Sequence, residues 1–290
     1  TPEQKAKYLP KLCSGEWIGA FGLTEPGAGT DAQGQQTFAV DEGDHWKLNG
    51  SKIFITNAGF ADVFIIIAVT GFVTDKRGRK QKEISAFIVE RTDPGFKVGK
   101  PEDKMGIRSS ATSDVIMEDC EIPASALIGK EGDGFKIVMQ TLDKGRVCAG
   151  ASALGVARAA LEHSIRYSQE RIQKGKPIWK HQIIQAKLAD MGMRLEAARQ
   201  LVWRAAMAFD ANANDTAKLA SMCKCFAGDM VVNVTCEALQ IHGGYGYSRE
   251  YPIEKLYRDA KIFQIFEGTN EIQRTIIAKN MVDEQKIAVR

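Results

Sequence analysis

The stretch ASMCKCFAGDMVVNVTCEALQIHGG, residues 220–244, carries small and apolar side chains that recur at intervals of three and four positions. The members of this stripe are Ala220, Cys223, Ala227, Met230, Val231, Val234, Ala238 and Ile241. Because this spacing puts the stripe on one helical face, it predicts a long helix that packs by that face. Gly243 and Gly244 follow the stripe and predict a left-handed cap at the end of the helix.

Two other stretches share the helical period. One of them is marked by Ile184, Leu188, Met191, Leu195, Ala198 and Val202. The other runs from about Phe135 to Arg171 and contains the apolar stripe of ALGVARAALEHSI. Long amphipathic helices in succession predict an antiparallel bundle that fills the second half of the chain.

The first half of the chain has the period of strands. HWKLNGSKIFITNAG, residues 45–59, puts an Asn-Gly pair between short alternating runs, which predicts a hairpin turn at that pair. The charged segment TDKRGRKQKE, residues 74–83, predicts a solvated hairpin end. Three more strands are predicted from ADVFIIIAVT at 61–70, EISAFIVER at 83–91 and TSDVIMEDCEIP at 112–123.

Short strands without intervening helices predict a small β-barrel or sandwich. The expected fold is therefore an α+β, multidomain one, with a β-barrel over residues 1–128 and a four-helix bundle over residues 129–290. TPEQ at residues 1–4 has the pattern of a capping box and predicts a helix at the beginning of the chain.

Composition disfavours several classes of partner. Lys and Arg total 39 against 36 Asp and Glu, so no strong net charge indicates nucleic acid or a membrane surface. The longest apolar run, Val63 to Val69, is far shorter than the about 20 residues that span a bilayer. The six cysteines and four histidines lack metal spacing, so we expect free thiols and no metal site.

The segment FGLTEPGAGTDA, residues 21–32, has three glycines but neither the Rossmann nor the Walker spacing. Its backbone amides and the hydroxyls of Thr24 and Thr30 suit a flat heterocycle or a phosphate, although a bulged turn explains the glycines equally well. On the predicted strand downstream, Phe54 and Thr56 share a face. That face could stack on a planar ring and hydrogen-bond to it, or belong to the core.

Three polar residues of the helical half are candidates for binding. Asp143 and Arg146 are three apart on a predicted helix, so they can contact each other as a surface ion pair, which is how we interpret the spacing alone, or share a ligand. His242 lies at the end of a bundle helix in QIHGGYGY, residues 240–247. We interpret it as a positioned hydrogen-bonding residue rather than a metal ligand.

Two acids stand close together in DAKIFQIFEGTNEIQR, residues 259–274. Glu271 suits the first turn of a helix that Thr269 or Asn270 caps, where an acid complements the helix dipole. Glu267 precedes that helix in a turn after an apolar run. There, partial desolvation would raise the pKa of its carboxyl and make it a stronger base.

Several ordered motifs together resemble the acyl-CoA dehydrogenase family, particularly its short-chain, butyryl-CoA type. The resemblance covers essentially the whole chain. The motifs are KYLPKLCSGE, GLTEPGAGTDA, FITNAG, KMGIRSS, LGVARAALE, ALQIHGGYGYSREYPIEKLYRDAKI and FEGTNEIQR. The family has a helical, a β-barrel and a second helical domain; this chain matches the last two, and we expect the first to be absent from it.

The resemblance implies an FAD enzyme that desaturates an acyl-CoA, with Glu267 as the base. A second family pattern carries the base at the position of Gly145, and glycine cannot take that role. Residues that match flavin contacts are Phe21, Leu23, Thr24, Gly29, Thr30, Phe54, Ile55, Thr56, Arg171, Gln182, Gln240, His242, Gly243, Gly244, Thr269, Asn270 and Glu271. Residues that match substrate contacts are Thr30, Asp143, Arg146 and Gly268. Lys174 stands where many relatives have an aromatic residue.

The resemblance also implies an electron-transferring flavoprotein as acceptor, a homo-oligomer that is a tetramer, and a location in the bacterial cytoplasm or the mitochondrial matrix. An enoyl-CoA reductase or an acyl-CoA oxidase would use the same site. A non-catalytic subunit that binds CoA or flavin is a further alternative, which the retention of Glu267 disfavours.

Overall fold

The computed structural model describes residues 1–74 and 78–286. The chain divides into two compact units, each made from two pieces of sequence. The first unit comprises residues 1–104 and 108–140, and the second comprises residues 105–107 and 141–290. The short segment 105–107 therefore belongs to the second unit although it lies between strands of the first.

The first unit begins with helix α1, Pro2–Ser14, whose predicted capping box at Thr1 and Gln4 is present. Eight strands form one sheet in the order β6-β7-β3-β2-β4-β5-β8, and β1 pairs in parallel with β4. Their bounds are β1 Gly19–Gly22, β2 Phe38–Asp41, β3 His45–Thr56, β4 Val63–Thr74, β5 Lys80–Glu90, β6 Phe96–Pro101, β7 Thr112–Pro123 and β8 Leu127–Ile128.

The sheet curls around a single core. Phe64 on β4 and Phe96 on β6 have three strands between them in the sheet, yet their ring centroids lie 4.5 Å apart. Trp46 on β3 and Phe87 on β5 are 5.0 Å apart across the same interior. Side chains from strands so far apart in the sheet meet only if the sheet bends back on itself, as the predicted barrel requires.

The hairpin predicted at Asn49 and Gly50 is wrong. Strand β3 runs without a break through this pair and is hydrogen-bonded to β7, with a register shift between Leu48 and Gly50. Gly50 has φ of 144°, and a Cβ on it would lie 2.5 Å from the Thr37 hydroxyl oxygen. The glycine therefore serves a bulge and a close approach of two chain segments, rather than a turn.

The charged hairpin is present as far as the structure describes it. Strands β4 and β5 are antiparallel, and Thr74 lies opposite Lys80. The predicted tip residues 75–77 lie outside the described residues.

A buried ion pair in this unit holds the loop that precedes β2. The Lys52 ammonium on β3 lies 2.7 Å from Glu25 Oε1 and 2.8 Å from Gln35 Oε1. Glu25 also accepts hydrogen bonds from the backbone N–H groups of Gln36 and Thr37. Burial lowers the pKa of Lys52 to about 8, an effect that the Glu25 carboxylate opposes. One lysine thus ties residues 25 and 35 to the sheet.

The second unit is helical, and the three long helices predicted from periodicity are confirmed. The helices are α2 Gly134–Glu170, whose first seven residues belong to the first unit, α3 Gln182–Asp210, α4 Thr216–His242, α5 Ile253–Ala260 and α6 Asn270–Lys286. A small hairpin of β9, Ile172–Gln173, and β10, Lys176–Pro177, joins α2 to α3. Gly243 ends α4 with φ of 58° and ψ of −136°. A left-handed cap needs a positive ψ as well as a positive φ, so the predicted cap is wrong.

Segment 105–107 packs against α5 within the second unit. The Ile107 N–H donates to Asp259 Oδ1 at 2.6 Å, and Arg258 Nη1 donates to the Met105 carbonyl at 2.8 Å. A Cβ on Gly106 would lie 2.5 Å from the Arg258 carbonyl oxygen. The KMGIRSS and YRDAKI motifs are therefore in direct contact, and the contact depends on a glycine.

In the part of the chain that the structure describes, no helix combines the length and apolarity that a membrane span requires. The same residues contain no group of three or more His, Cys, Asp or Glu side chains that could bind a metal ion. All six cysteines are free thiols.

We predict that Gly106→Ala destabilises the second unit by about 1–3 kcal/mol, because the added methyl group meets backbone atoms that cannot move aside cheaply. Urea unfolding monitored by circular dichroism measures the change. Gly192→Ala in α3 is the control, since a Cβ there has no atom within 4 Å. Equal midpoints for the two variants would contradict the close contact at Gly106.

Candidate active site

Glu267 lies on a turn with an unusual backbone. Its φ is 57° and that of Gly268 is 83°, so two consecutive residues are left-handed. Helix α6 begins just afterwards, where the Ile272 N–H donates to the Thr269 hydroxyl at 3.4 Å and Glu271 stands in the first turn. The prediction that Glu271 belongs to the helix and Glu267 precedes it is confirmed. A non-glycine residue in this conformation costs about 1–3 kcal/mol and marks sites where geometry matters.

The Glu267 carboxyl is half-buried and faces α2. Burial raises its pKa, while the charges of Arg146 and Lys224 act in the opposite direction. A Cβ on Gly145 would lie 2.5 Å from Glu267 Oε2. The carboxylate therefore occupies the space that any side chain at position 145 would need.

Asp143 and Arg146 form an ion pair on α2, with 2.6 Å between Oδ1 and Nη1. The surface interpretation is wrong, because Arg146 is only 5% exposed. Burial also raises the pKa of Asp143, against the effect of Arg146. Among the described residues, Arg146 Nε has no hydrogen-bond partner. A buried donor without a partner marks a place where a ligand can accept a hydrogen bond.

Two residues that sequence reasoning missed hold the turn of Glu267. Lys224 Nζ donates to the Gly268 carbonyl at 2.6 Å, and Gln273 Nε2 donates to the Glu267 and Gly268 carbonyls at 3.1 and 3.2 Å. A signal for Lys224 exists in the sequence, because it lies four residues from both Ala220 and Gly228 and thus shares their helical face.

Asn270, a predicted flavin contact, has an amide that is already engaged. Its Oδ1 accepts from Lys224 at 2.9 Å, and its Nδ2 donates to the Cys225 carbonyl and to Asp229 Oδ1. Both amide hydrogens are used within the second unit, so its side chain has none left for a ligand. Flavin contact by Thr269, Asn270 and Glu271 stays a prediction.

In the first unit, the predicted flavin-ring loop and strand lie together. The Ile53 N–H donates to the Thr24 carbonyl at 2.8 Å, and Lys52 donates to the Leu23 carbonyl at 3.3 Å. Phe21 lies on β1, which leads into the loop, and Gly29 and Thr30 of the loop are exposed. The structure therefore brings the two predicted segments side by side.

Phe54 and Thr56 are both exposed, whereas Ile55 between them belongs to the core. The Phe54 ring is 59% exposed and its backbone has φ of 58°. A bulky residue rarely takes a positive φ, and here it coincides with the register shift between Lys52 and Ile55 in the pairing of β3 with β7. Flavin contact by Phe54 and Thr56 stays a prediction. Ile55 could contact a ligand only through its backbone.

In the second unit, several predicted flavin residues line one cavity of about 830 Å³. Arg171, His242, Gly243 and Gly244 are among them, together with Lys174. Lys174 and Gly175 have φ of 49° and 75° and make the two-residue turn of the β9–β10 hairpin.

Gln182 and Gln240, two other predicted flavin contacts, are exposed and are not among the residues that line this cavity. Flavin contact by these two residues stays a prediction.

His242 is a buried, neutral member of this cavity. Its ring stacks on Tyr167 at 4.3 Å, and Nδ1 donates to the Ala238 carbonyl at 2.8 Å. Burial lowers its pKa, so Nε2 is the lone-pair nitrogen. This geometry agrees with a positioned hydrogen-bonding residue.

Known proteins resemble both units. Residues 20–120 match the protein family described as "Acyl-CoA dehydrogenase, middle domain". Residues 132–282 match the family described as "Acyl-CoA dehydrogenase, C-terminal domain". The short-chain specific acyl-CoA dehydrogenase of Megasphaera elsdenii is 52% identical, over 94% of this chain and 70% of that protein. The structure of butyryl-CoA dehydrogenase from Megasphaera elsdenii has a TM-score of 0.92 at 50% identity, over 97% of this chain and 72% of that chain.

A relative named for another activity is similarly close. The acryloyl-CoA reductase (NADH) of Anaerotignum propionicum is 49% identical, over 97% of this chain and 71% of that protein. The C-terminal-domain match includes the turn of Glu267. The chain belongs to the acyl-CoA dehydrogenase family.

Proposed function

We propose that the chain catalyses the FAD-dependent dehydrogenation of a short-chain acyl-CoA to the trans-2-enoyl-CoA, with Glu267 as the base. The observation that carries this proposal is the setting of the Glu267 carboxyl, which is half-buried on a left-handed turn beside the buried Arg146. Family membership supports the reaction class, and the relatives named for short-chain and butyryl-CoA substrates support the acyl length.

Glu267 removes the α proton. The α hydrogen of a thioester is a weak acid, so the base must be stronger than a fully solvated carboxylate. Burial provides this strength because it raises the pKa of the Glu267 carboxyl. Arg146 and Lys224 limit the rise, so the carboxylate remains available as a base.

The thioester carbonyl needs a donor that stabilises negative charge as the proton leaves. Within the described residues, the backbone N–H of Glu267 has no hydrogen-bond acceptor. The same residue therefore offers a donor for the carbonyl oxygen and a base for the adjacent carbon. Its fixed φ of 57° sets the directions of both groups together.

The residues present fit FAD. Phe54 and Thr56 expose a ring face and a hydroxyl beside the loop of Thr24, which suits a planar heterocycle. In the second unit, the cavity with Arg171 and Lys174 offers two cations for a diphosphate. When bound, FAD supplies the acceptor for the hydride that leaves the β carbon.

The finer assignments rest on the resemblance. The β-barrel at residues 1–128 would supply contacts to the flavin ring, and the bundle at residues 129–290 would supply the base. Thr30, Asp143, Arg146 and Gly268 would contact the acyl-CoA. An electron-transferring flavoprotein would accept the electrons from a homotetramer in the bacterial cytoplasm or the mitochondrial matrix.

The acryloyl-CoA reductase relative favours a second candidate, reduction of an enoyl-CoA at the same site. In that direction Glu267 would be protonated and would return its proton to the α carbon. Comparison of the rates with butyryl-CoA and with crotonyl-CoA plus a reductant distinguishes the two physiological directions.

The decisive experiment mixes protein reconstituted with FAD and butyryl-CoA without oxygen. We expect the flavin absorption band to bleach with the wild-type protein and Glu267→Gln to slow bleaching by about 10²–10⁴-fold, because the amide cannot accept the proton. FAD content, determined from the absorption spectrum, is the control for both proteins. Equal bleaching rates at equal FAD content would refute the role of Glu267.

We also predict the pH dependence of kcat/KM for butyryl-CoA. Only ionised Glu267 can accept the proton, so activity is lost as pH falls through its pKa. Because burial raises that pKa, the acid limb should be centred above the ordinary range of glutamate. Steady-state rates in buffers of constant ionic strength locate the limb. A midpoint at or below that range would contradict the buried setting.

We predict that Gly145→Ala lowers kcat by at least about tenfold, because the added methyl group displaces the carboxylate from its position. Gly155→Ala on the same helix is the matched control, since a Cβ there has open space. Both variants are assayed with butyryl-CoA at saturating FAD. Wild-type kcat in Gly145→Ala would show that the Glu267 carboxyl does not work from this position.

A further inference from the structure

Lys224 is one of the most deeply buried charged groups in the described chain. It lies on α4 with 1% of its surface exposed, inside a stripe of small residues. An ammonium in such a place is stable only if it is given hydrogen-bond acceptors. The acceptors are the Gly268 carbonyl at 2.6 Å and Asn270 Oδ1 at 2.9 Å.

Both acceptors belong to the turn that carries the base. Gly268 follows Glu267 directly, and Asn270 is the first residue of α6. Asn270 is in turn anchored on α4 through Cys225 and Asp229. Helix α4 therefore holds the turn from one side, with Lys224 as its contact to the Gly268 carbonyl, while Gln273 of α6 donates to the Glu267 and Gly268 carbonyls.

This clamp bears on the strained backbone. Consecutive left-handed residues persist only where the surroundings determine them, since Glu267 lacks the freedom of glycine. A turn released from Lys224 can relax toward ordinary φ values. Relaxation would swing the carboxylate and the Glu267 N–H away from their shared target.

The charge of Lys224 acts on the base as well. Burial raises the pKa of the Glu267 carboxyl, and Arg146 and Lys224 oppose that rise. Burial lowers the pKa of Lys224 itself to about 8, so the ammonium stays charged across the acid limb. The groups that act on Lys224 are Cys225, Glu267, Arg146 and Asp229. Other charged groups near the turn are Asp143, Glu271 and Arg274.

We propose that Lys224 is a positioning residue for proton abstraction, which holds the turn of residues 267–270 through Gly268 and Asn270 and keeps the Glu267 carboxylate aimed at the substrate. This inference rests on the proposed function of Glu267. It adds a residue that acts through another and contacts neither substrate nor cofactor.

The test measures kcat, KM and the acid limb for butyryl-CoA in the wild-type protein, Lys224→Met and Lys224→Gln. We expect Lys224→Met to lower kcat about 10- to 100-fold with KM changed less than about threefold, because geometry rather than binding is lost. Its acid limb should move to higher pH, since a cation near the base is removed. Lys224→Gln keeps a donor without charge, so it should recover part of kcat and keep the shifted limb.

A second readout does not depend on oxidation of the substrate. Incorporation of solvent deuterium at the α carbon of butyryl-CoA, with the flavin kept reduced, reports proton abstraction alone. Lys224→Met should slow this exchange by the same factor as kcat. Lys218→Met is the control on the same helix, because the Lys218 ammonium binds Glu284 rather than the turn of Glu267. It should leave kcat, the exchange rate and the acid limb at their wild-type values.

The outcomes separate the two proposals. If Lys224→Met or, where that variant does not fold, Lys224→Gln loses thermal stability alone and keeps the wild-type acid limb and exchange rate, the positioning role is refuted. A limb that moves to lower pH also refutes it. If Glu267→Gln exchanges deuterium as fast as the wild-type protein, the proposed base is wrong whatever the lysine variants show.

Discussion

The Glu267 carboxylate must be dry enough to act as a base and yet close enough to cations to remain ionised. Burial among α2, α4 and the turn meets the first requirement, and Arg146 and Lys224 meet the second. Each cation comes from a different helix, so the balance depends on how the helices of the second unit pack. Any repacking that moves α4 changes both the electrostatics and the aim of the carboxylate. The reactive residue is therefore a property of the bundle rather than of the local sequence.

The two units use a similar device to hold their loops. In each of them, a lysine that is almost completely buried collects oxygen atoms from a segment of irregular backbone: Lys52 binds Glu25 and Gln35, and Lys224 binds Gly268 and Asn270. A long flexible chain reaches across the core, and the ammonium offers three hydrogens that radiate in different directions. Removal of such a group leaves several polar atoms buried without partners, which lowers the free energy of unfolding. The loop geometry and the stability of the fold therefore depend on the same lysine.

Much of the fold could be predicted from periodicity, because burial of one face repeats along an element. The long helices and most strands have bounds within a few residues of the predicted ones. The turn predicted at Asn49 and Gly50 was wrong because this glycine is required by the close approach of Thr37. That contact is long-range, so no local sequence pattern reveals it. Lysines 52 and 224 were missed for a related reason. Lysine is normally solvated, and only tertiary structure reveals acceptors that compensate for burial.

The active-site base was recognisable because local signals agreed: an acid outside a capped helix, after an apolar run. Family resemblance then selected it over Gly145. The structure adds that a side chain at position 145 would overlap with the Glu267 carboxylate, which neither the local sequence nor the family resemblance reveals. It also shows that Asn270 donates both of its amide hydrogens to groups of the protein itself.

The small segment 105–107 has a consequence for how the chain matures during synthesis. Its hydrogen-bond partner Asp259 follows Ile107 by 152 residues, whereas the strands on either side of the segment can pair as soon as they leave the ribosome. Until α5 has been translated, the Ile107 N–H and the Met105 carbonyl therefore lack the partners that they have in the folded chain. A chain shortened before α5 would leave these two backbone groups exposed, and exposed irregular backbone is a preferred site of proteolysis.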